Sequence, residues 1–283
     1  MTFRTRFAPS PTGPLHLGHA YSALCAFDAT EVAKGDFILR IDDLDQSRSR
    51  PTWEALIYED LAWLGITWST PVRRQSEFLS EYQDALARLG EMGVTYPCSC
   101  TRADIELAAN APQEGVPEFG PDGRIYPGTC QYRTMLDATE TDTIRLDMRK
   151  AVSMIPKEIS FKNNDQGIDL NCETLIHSVG DVILRRRSMG ASYHLAVVVD
   201  DHKQGVTDVI RGQDLAEATQ IHVLLQHLLG YQTPTYIHHD LIRDETGKRL
   251  AKRDDARALS KYRAEGYSPE DIRAMIGLRT SAP

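Results

Sequence analysis

Three groups of residues in this chain have types and spacings that do chemistry. The first is Arg6-Phe7-Ala8-Pro9-Ser10-Pro11-Thr12-Gly13-Pro14-Leu15-His16-Leu17-Gly18-His19. Its prolines, glycines and histidines make a poor core element but suit a loop that brings backbone close to a phosphate-rich ligand. The second is Cys98-Ser99-Cys100 followed by Cys130. Three thiolates suit zinc, and a structural metal would order a stretch that is poor in core-forming residues. No histidine lies between His19 and His177, so a local fourth ligand is of unusual type, or is water, unless the site has lost its metal. The third group is basic: Arg185-Arg186-Arg187 and the segment from Arg243 to Arg257. Each is either a positive face for a polyanion or ordinary solvated surface.

Composition narrows the setting. With 283 residues, 41% of them hydrophobic, the chain buries a real core in one large domain or two joined ones. No apolar run approaches the ~20 residues that span a bilayer. The start MTFRTRFAPS lacks the apolar segment of a secretory signal, so a cytoplasmic location without membrane contact is expected. A net charge of −8 argues against diffuse binding to nucleic acid and leaves only local basic patches. Five cysteines, three of them clustered, do not make a disulfide framework and point to a reducing compartment. Cys25, on the core face of a helix, and the isolated Cys172 read as inert.

The elements that must position these residues follow from periodicity. Residues 3–8 alternate apolar and polar side chains as a short strand does. Ala20, Ala23, Leu24, Phe27 and Val32 recur at helical spacing, with Gly35 as the stop, and Phe37 to Ile41 reads as a buried strand. Strand, loop, helix, strand begins a parallel α/β sheet. Ligands of such sheets bind beyond the carboxyl ends of the strands, where the opening loop and Asp42-Asp43-Leu44-Asp45 both fall. Thr52 and Ser76 are positioned to cap two further helices, closed near Gly65 and Gly90 to Gly93. Residues 96–190 read as an inserted subdomain, loop-rich between Tyr96 and Tyr132, with a strand at Thr143 to Leu146. Tyr193 to Val199 is β-branched and reads as a buried strand ended by Asp200-Asp201. Thr207 to Ile210 reads as another, ended by Arg211-Gly212. Asp214 and Glu217 form a capping-box pattern for a helix that stops at Gly230. Tyr236-Ile237, a basic loop and a short helical tail complete the chain.

The opening stretch from Phe7 to His19 closely resembles the HIGH region of class I aminoacyl-tRNA synthetases, in their glutamyl/glutaminyl branch. Arg249-Leu250-Ala251-Lys252-Arg253 resembles the KMSKS loop of the same family, with arginine for its first lysine and alanine for its serine. The resemblance implies a Rossmann-like catalytic domain in two halves, 1–95 and 191–240, around a zinc-bearing insert at 96–190. The lysine loop and helical tail then occupy 241–283, with no anticodon-binding domain. His16, Gly18, His19 and Lys252 are implied to bind ATP with Mg²⁺, with His16, His19 and Lys252 catalytic. Arg6, Phe7, Ala8, Pro9 and Ser10 line a glutamate pocket in this resemblance. Arg6, Tyr193 and Arg211 hold the γ-carboxylate and Asp42 the ammonium, where the family usually has glutamate. The asparagine common in the family four residues after the tyrosine is Val197 here. The resemblance also offers Tyr126 as fourth zinc ligand beside Cys98, Cys100 and Cys130.

About thirty residues follow Lys252, which is similar to the stand-alone catalytic halves of the glutamyl-queuosine tRNA(Asp) synthetase family. That resemblance implies ATP, L-glutamate and queuosine-containing tRNA(Asp) as partners, and nothing in the sequence requires more than a monomer. Glutamate would be activated without tRNA and then esterified to queuosine. A minimal synthetase charging the 3′ end of tRNA(Glu) and a non-catalytic paralogue are the alternatives.

Overall fold

The computed structural model describes residues 2–109, 119–242 and 257–278. They divide between two compact units, one of Met1–Glu77, Val206–Asp214 and Thr235–Pro283, the other of Phe78–Gly205 and Leu215–Pro234.

In the first unit the opening alternation forms β1 (Arg4–Phe7), paired in parallel with β2 (Asp36–Ile41) so that Arg6 lies opposite Ile38 and Phe7 opposite Leu39. A parallel pair requires a crossover, supplied by α1 (Leu17–Ala33). Ala20, Ala23 and Leu24 are buried, whereas Val32 is 87% exposed and stands off the core face. Lys34, at φ 51°, takes the left-handed cap position. Gly35 serves a different need: a Cβ there would collide with the carbonyl of Phe3. The next helix, α2 (Pro51–Trp63), begins with Pro51 rather than with a Thr52 cap, because proline's fixed φ already suits the first turn. β3 (Ser69–Arg74) joins β2 in parallel and leads into a 3₁₀ turn, Gln75–Phe78. Ser76 caps no helix; its N–H and hydroxyl donate to Asp43 at 2.8 and 2.6 Å.

In the second unit, α3 (Leu79–Glu91) buries Tyr82, Ala85, Leu86 and Leu89 on one face. β4 (Thr95–Cys98) precedes α4 (Arg102–Ala109) and the hairpin of β5 (Phe119–Gly120) with β6 (Gly123–Arg124). The expected strand is β7 (Thr143–Leu146), antiparallel to β4 and followed by α5 (Met148–Ser153). β8 (Ser160–Asn163) and β9 (Gln166–Asp169) pair across Asn164 and Asp165, both at positive φ as a tight two-residue hairpin requires. A single turn, α6 (Cys172–Thr174), leads to β10 (Ile183–Arg185), which covers the other edge of β7.

Residues 193–203 differ from the sequence expectation. They form a helix, α7 (Tyr193–Lys203), capped by Ser192. All residues from His194 to Asp201 are buried, so no polar face interrupts the apolar run and its period cannot separate strand from helix. Burial on every side then outweighs the weak strand preference of three consecutive valines.

The chain returns to the first unit in β11 (Asp208–Gly212), held against β1 by Thr207 N–H to the Arg4 carbonyl at 2.9 Å. Asp214 sits in a 3₁₀ turn, so the expected capping box does not form. α8 (Thr219–Leu229) of the second unit starts at Ala218 without a side-chain cap and stops at Gly230, φ 66°. β12 (Thr235–His239) lies parallel to β11 in the first unit, and α9 (Leu259–Ala264) and α10 (Pro269–Met275) follow. Phe7, Leu24, Leu39, Ile57, Leu61, Ile210, Leu259 and Ile272 share that unit's core.

Candidate active site and metal centre

In the first unit the carboxyl ends of β1, β2, β11 and β12 carry most of the residues singled out above. The opening loop is held by backbone bonds: Asp42 N–H to the Pro9 carbonyl and Arg50 N–H to the Pro11 carbonyl, both at 3.0 Å. Phe7, Pro9 and Arg6 are buried, Ala8 is half-buried and Ser10 is exposed. The far end of the chain closes on the same loop. His16 and Ala258 form a bridge, and Leu259 N–H donates to the Leu15 carbonyl at 2.8 Å. Arg249 and Lys252 lie outside the described residues.

His16 and His19 begin α1 as a reciprocal cap. Gly18 N–H donates to His16 Nδ1 and His16 N–H donates to His19 Nδ1, each at 3.1 Å, with ring centroids 3.8 Å apart. An Nδ1 that accepts carries no proton, so a neutral ring bears its hydrogen on Nε2. Two Nε2–H donors therefore sit at the positive end of a helix, which favours an anion such as a phosphate.

Asp42 receives Arg40 Nε at 2.8 Å, the arginine being buried and the aspartate half-buried. Asp43 is bound to Ser76, and Asp45 to Ser47 and Arg48, so these two carboxylates brace the loop after β2. Arg211, buried at the end of β11, donates from Nε to His238 Nε2 at 3.2 Å and lies over Tyr236 at 5.2 Å. Burial, reinforced by the Arg211 charge, pushes His238 down to about 4. It is a neutral acceptor that orients the guanidinium. Sequence reasoning passed over His238; its signal is the register that pairs it with Arg211 across β11 and β12. His239 was also passed over, and receives or gives a hydrogen bond to Ser22 of α1 at 2.8 Å.

Tyr193 belongs to the second unit. It is the first residue of α7, 40% exposed, with its ring edge-on to His194 and His222. Val197, one turn on and on the same helix face, is buried.

The cysteine cluster also lies in the second unit. β4 delivers Cys98, and the Sγ atoms of Cys98, Cys100 and Cys130 fall within 4.8 Å of one another, a group able to hold a metal ion. The Tyr126 hydroxyl is 3.3 Å from both Cys98 and Cys100, and Cys100 is 3.5 Å from Cys130. These separations approach the ~3.5–3.8 Å edges of a tetrahedral zinc site with bonds of about 2.0–2.3 Å. The donor set fits the ion. Burial pushes Cys100 up to about 11. Burial also opposes ionisation of Cys130, but hydrogen bonds from Tyr126, the Ser99 backbone and Cys100 outweigh it and bring Cys130 down to about 6. Burial raises Tyr126, whose ring is covered by Arg145 at 3.8 Å.

Over residues 2–283 the chain matches the family of tRNA synthetases class I (E and Q), catalytic domain. It belongs to that family. This class I synthetase is an enzyme, a ligase. A glutamyl-Q tRNA(Asp) synthetase of Rhodobacter capsulatus is 57% identical over 277 residues, covering 97% of this chain and 99% of the relative. One of Deinococcus radiodurans is 40% identical, covering 97% and 88%. Among solved structures, a glutamate tRNA ligase of Elizabethkingia meningosepticum, in complex with its amino acid, superposes with TM-score 0.77 at 28% identity. That match takes in 98% of this chain but 60% of the ligase, so the class I synthetase described here spans about three fifths of that protein's length. Among its described residues no helix is long and apolar enough to cross a membrane.

Proposed function

We propose that this chain activates L-glutamate with ATP to glutamyl-adenylate, without tRNA, and then transfers the glutamate to the queuosine base in the anticodon of tRNA(Asp). The observation that carries this reading is the pair of Nε2–H donors on His16 and His19 at the start of α1, beyond the ends of parallel strands. The names of the relatives supply the acceptor.

In the first step the glutamate α-carboxylate attacks the α-phosphorus and the bond to the bridging oxygen breaks, releasing pyrophosphate. His16 and His19 donate to phosphate oxygens. Gly18, in the first turn of α1, has no side chain to crowd the nucleotide and leaves room for its adenine and ribose. Lys252 neutralises charge that develops on pyrophosphate, an effect worth several kcal/mol where water is excluded. Arg6 and Arg211 supply cations for the γ-carboxylate, with Arg211 held by His238; the family resemblance gives Tyr193 a hydroxyl contact to the same group. Asp42 holds the ammonium, and Phe7 to Ser10 form the pocket wall. Mg²⁺ accompanying ATP would screen the phosphates. No side chain acts as a covalent nucleophile; positioning and charge carry the rate. In the second step a queuosine hydroxyl attacks the acyl carbon and AMP leaves.

Cys98, Cys100, Cys130 and Tyr126 would hold one zinc ion, whose contribution is structural order in β4 and the loops beside it. ATP–pyrophosphate exchange with glutamate and no tRNA tests the first step; its absence in folded protein defeats the enzyme reading. Exchange only with tRNA(Glu), followed by 3′-end charging, would assign a minimal synthetase instead. Labelled glutamate should appear on queuosine-bearing tRNA(Asp) and not on the same tRNA lacking queuosine.

A further inference from the structure

A cavity outside the candidate active site described above lies wholly within the second unit. About 340 Å³ in volume, it is walled by Arg102 of α4, Phe119 and Arg124 of the β5–β6 hairpin, Arg145 of β7 and Arg186 just after β10. That volume is far larger than inorganic phosphate needs and suits a ligand of nucleotide size.

Its carboxylates are largely committed. Asp122 pairs with His194 Nε2 at 3.0 Å. Asp181 accepts from the Tyr96 hydroxyl at 2.6 Å and from Met148 N–H at 2.8 Å. Arg145 is held over Tyr126 and donates to the Asp181 carbonyl at 2.8 Å. Arg102 and Arg186 are exposed, and among the described residues neither has a hydrogen bond or ion pair from its side chain. Within the run Arg185-Arg186-Arg187 the flanking residues are occupied: Arg185 donates to the Asp142 carbonyl at 3.1 Å and Arg187 to the carbonyl of Ser99. Arg186 is the member that faces the cavity with its charge uncommitted. At the rim Phe119 is 61% exposed, with the Arg124 guanidinium 4.8 Å from its ring centroid.

Two available guanidinium groups beside an exposed aromatic are the parts that hold a phosphate and a stacked base. Because both arginines and the phenyl ring stand at the solvent edge, the ligand chain is able to continue past the cavity in either direction. We infer that this cavity takes one nucleotide of a single-stranded RNA segment, its phosphates on Arg102 and Arg186 and its base on Phe119. Glu106, also in the lining, accepts from a base amino group or ribose hydroxyl. The identity of the RNA as the loop of an acceptor tRNA rests on the proposed function; the cavity itself does not. An acidic chain thus binds nucleic acid through a local site rather than through its overall charge.

The test is fluorescence anisotropy of the full chain with a labelled anticodon stem-loop RNA, titrated at several salt concentrations. R102A/R186A should weaken binding at least tenfold and flatten the log–log salt dependence by about 1.4, two phosphates at ~0.7 each. R102K/R186K should retain the slope. Phe119→Leu should weaken binding about tenfold with the slope unchanged. Glutamate-dependent pyrophosphate exchange should stay at the unmutated level in all of them. Unchanged affinity and slope in R102A/R186A would overturn the site, as would wild-type protein that binds no RNA. Equally tight binding of free GMP that is lost in R102A/R186A, while the RNA stays bound to that variant, would reassign the cavity to a small nucleotide and overturn the RNA assignment. Loss of pyrophosphate exchange in the unmutated chain would strike the proposed function and leave the RNA measurement standing.

Discussion

His16 serves α1 through Nδ1 and, in the proposed function, donates to a phosphate through its other nitrogen, so alanine at this position would remove two things at once. Asparagine separates them, because its side-chain oxygen still caps. His16→Asn should therefore hold thermal stability within about 0.5 kcal/mol of wild type while lowering pyrophosphate exchange on the order of 100-fold. Calorimetry and exchange on the same sample check this. At Arg211 the guanidinium is fixed by its bond to neutral His238. Lysine cannot reproduce a planar, two-pronged contact with a carboxylate. Arg211→Lys should raise the KM for glutamate about tenfold or more and leave the KM for ATP near its original value, as steady-state exchange kinetics would report. The place of Arg211 at the end of a strand was legible in the sequence because the apolar run before it stops there, while its role toward glutamate came from the family resemblance. Its partner was not, because His238 is twenty-seven positions away and only strand register sets the two side by side.

At the scale of elements, the β1–α1–β2 unit was readable almost to the residue, since a short alternating strand, a Gly/Pro loop and an apolar strand leave few options. α7 was not, since a helix buried on every side has no polar stripe to declare its period. Ser192 is where the helical signal was available, one residue before the run. Ser192→Ala should cost about 1 kcal/mol in urea unfolding. The β4–β7 region depends differently on its surroundings, because its small cluster of Tyr96, Cys98, Tyr126 and Cys130 is built around the thiols themselves. Chelation of metal from freshly purified protein should lower the thermal midpoint, and Tyr126→Phe should weaken zinc retention about tenfold or more in a competition with a chromogenic chelator.

For the molecule as a whole, two buried groups set opposing responses to acid. Asp60 has no hydrogen bond to either carboxylate oxygen among the described residues, and Arg263 stands 3.6 Å away. Burial raises it from 3.8 to about 6, against the pull of Arg263. The folded state thus binds the extra proton, and the stability from this group is full below about pH 4 and lost as pH rises through about 6. His238 runs the other way. Its fall from 6.5 to about 4 gives stability that is full above 6.5 and lost as pH drops towards 4. Between these limits the two contributions offset. Asp60→Asn should add on the order of 2 kcal/mol at pH 7.5, shrinking to nothing near pH 4, and should expose the acid sensitivity that His238 confers. Chemical denaturation across pH 4–8 measures both slopes.

The opening loop meets backbone donors at Pro9 and Pro11 and is bridged at Leu15 and His16 to the start of α9. Three prolines restrict it further. Its ordering entropy, roughly 1–2 kcal/mol for each residue fixed, is therefore lost once, when the chain folds. A ligand arriving here meets backbone already in its final shape, and the encounter has no loop left to freeze.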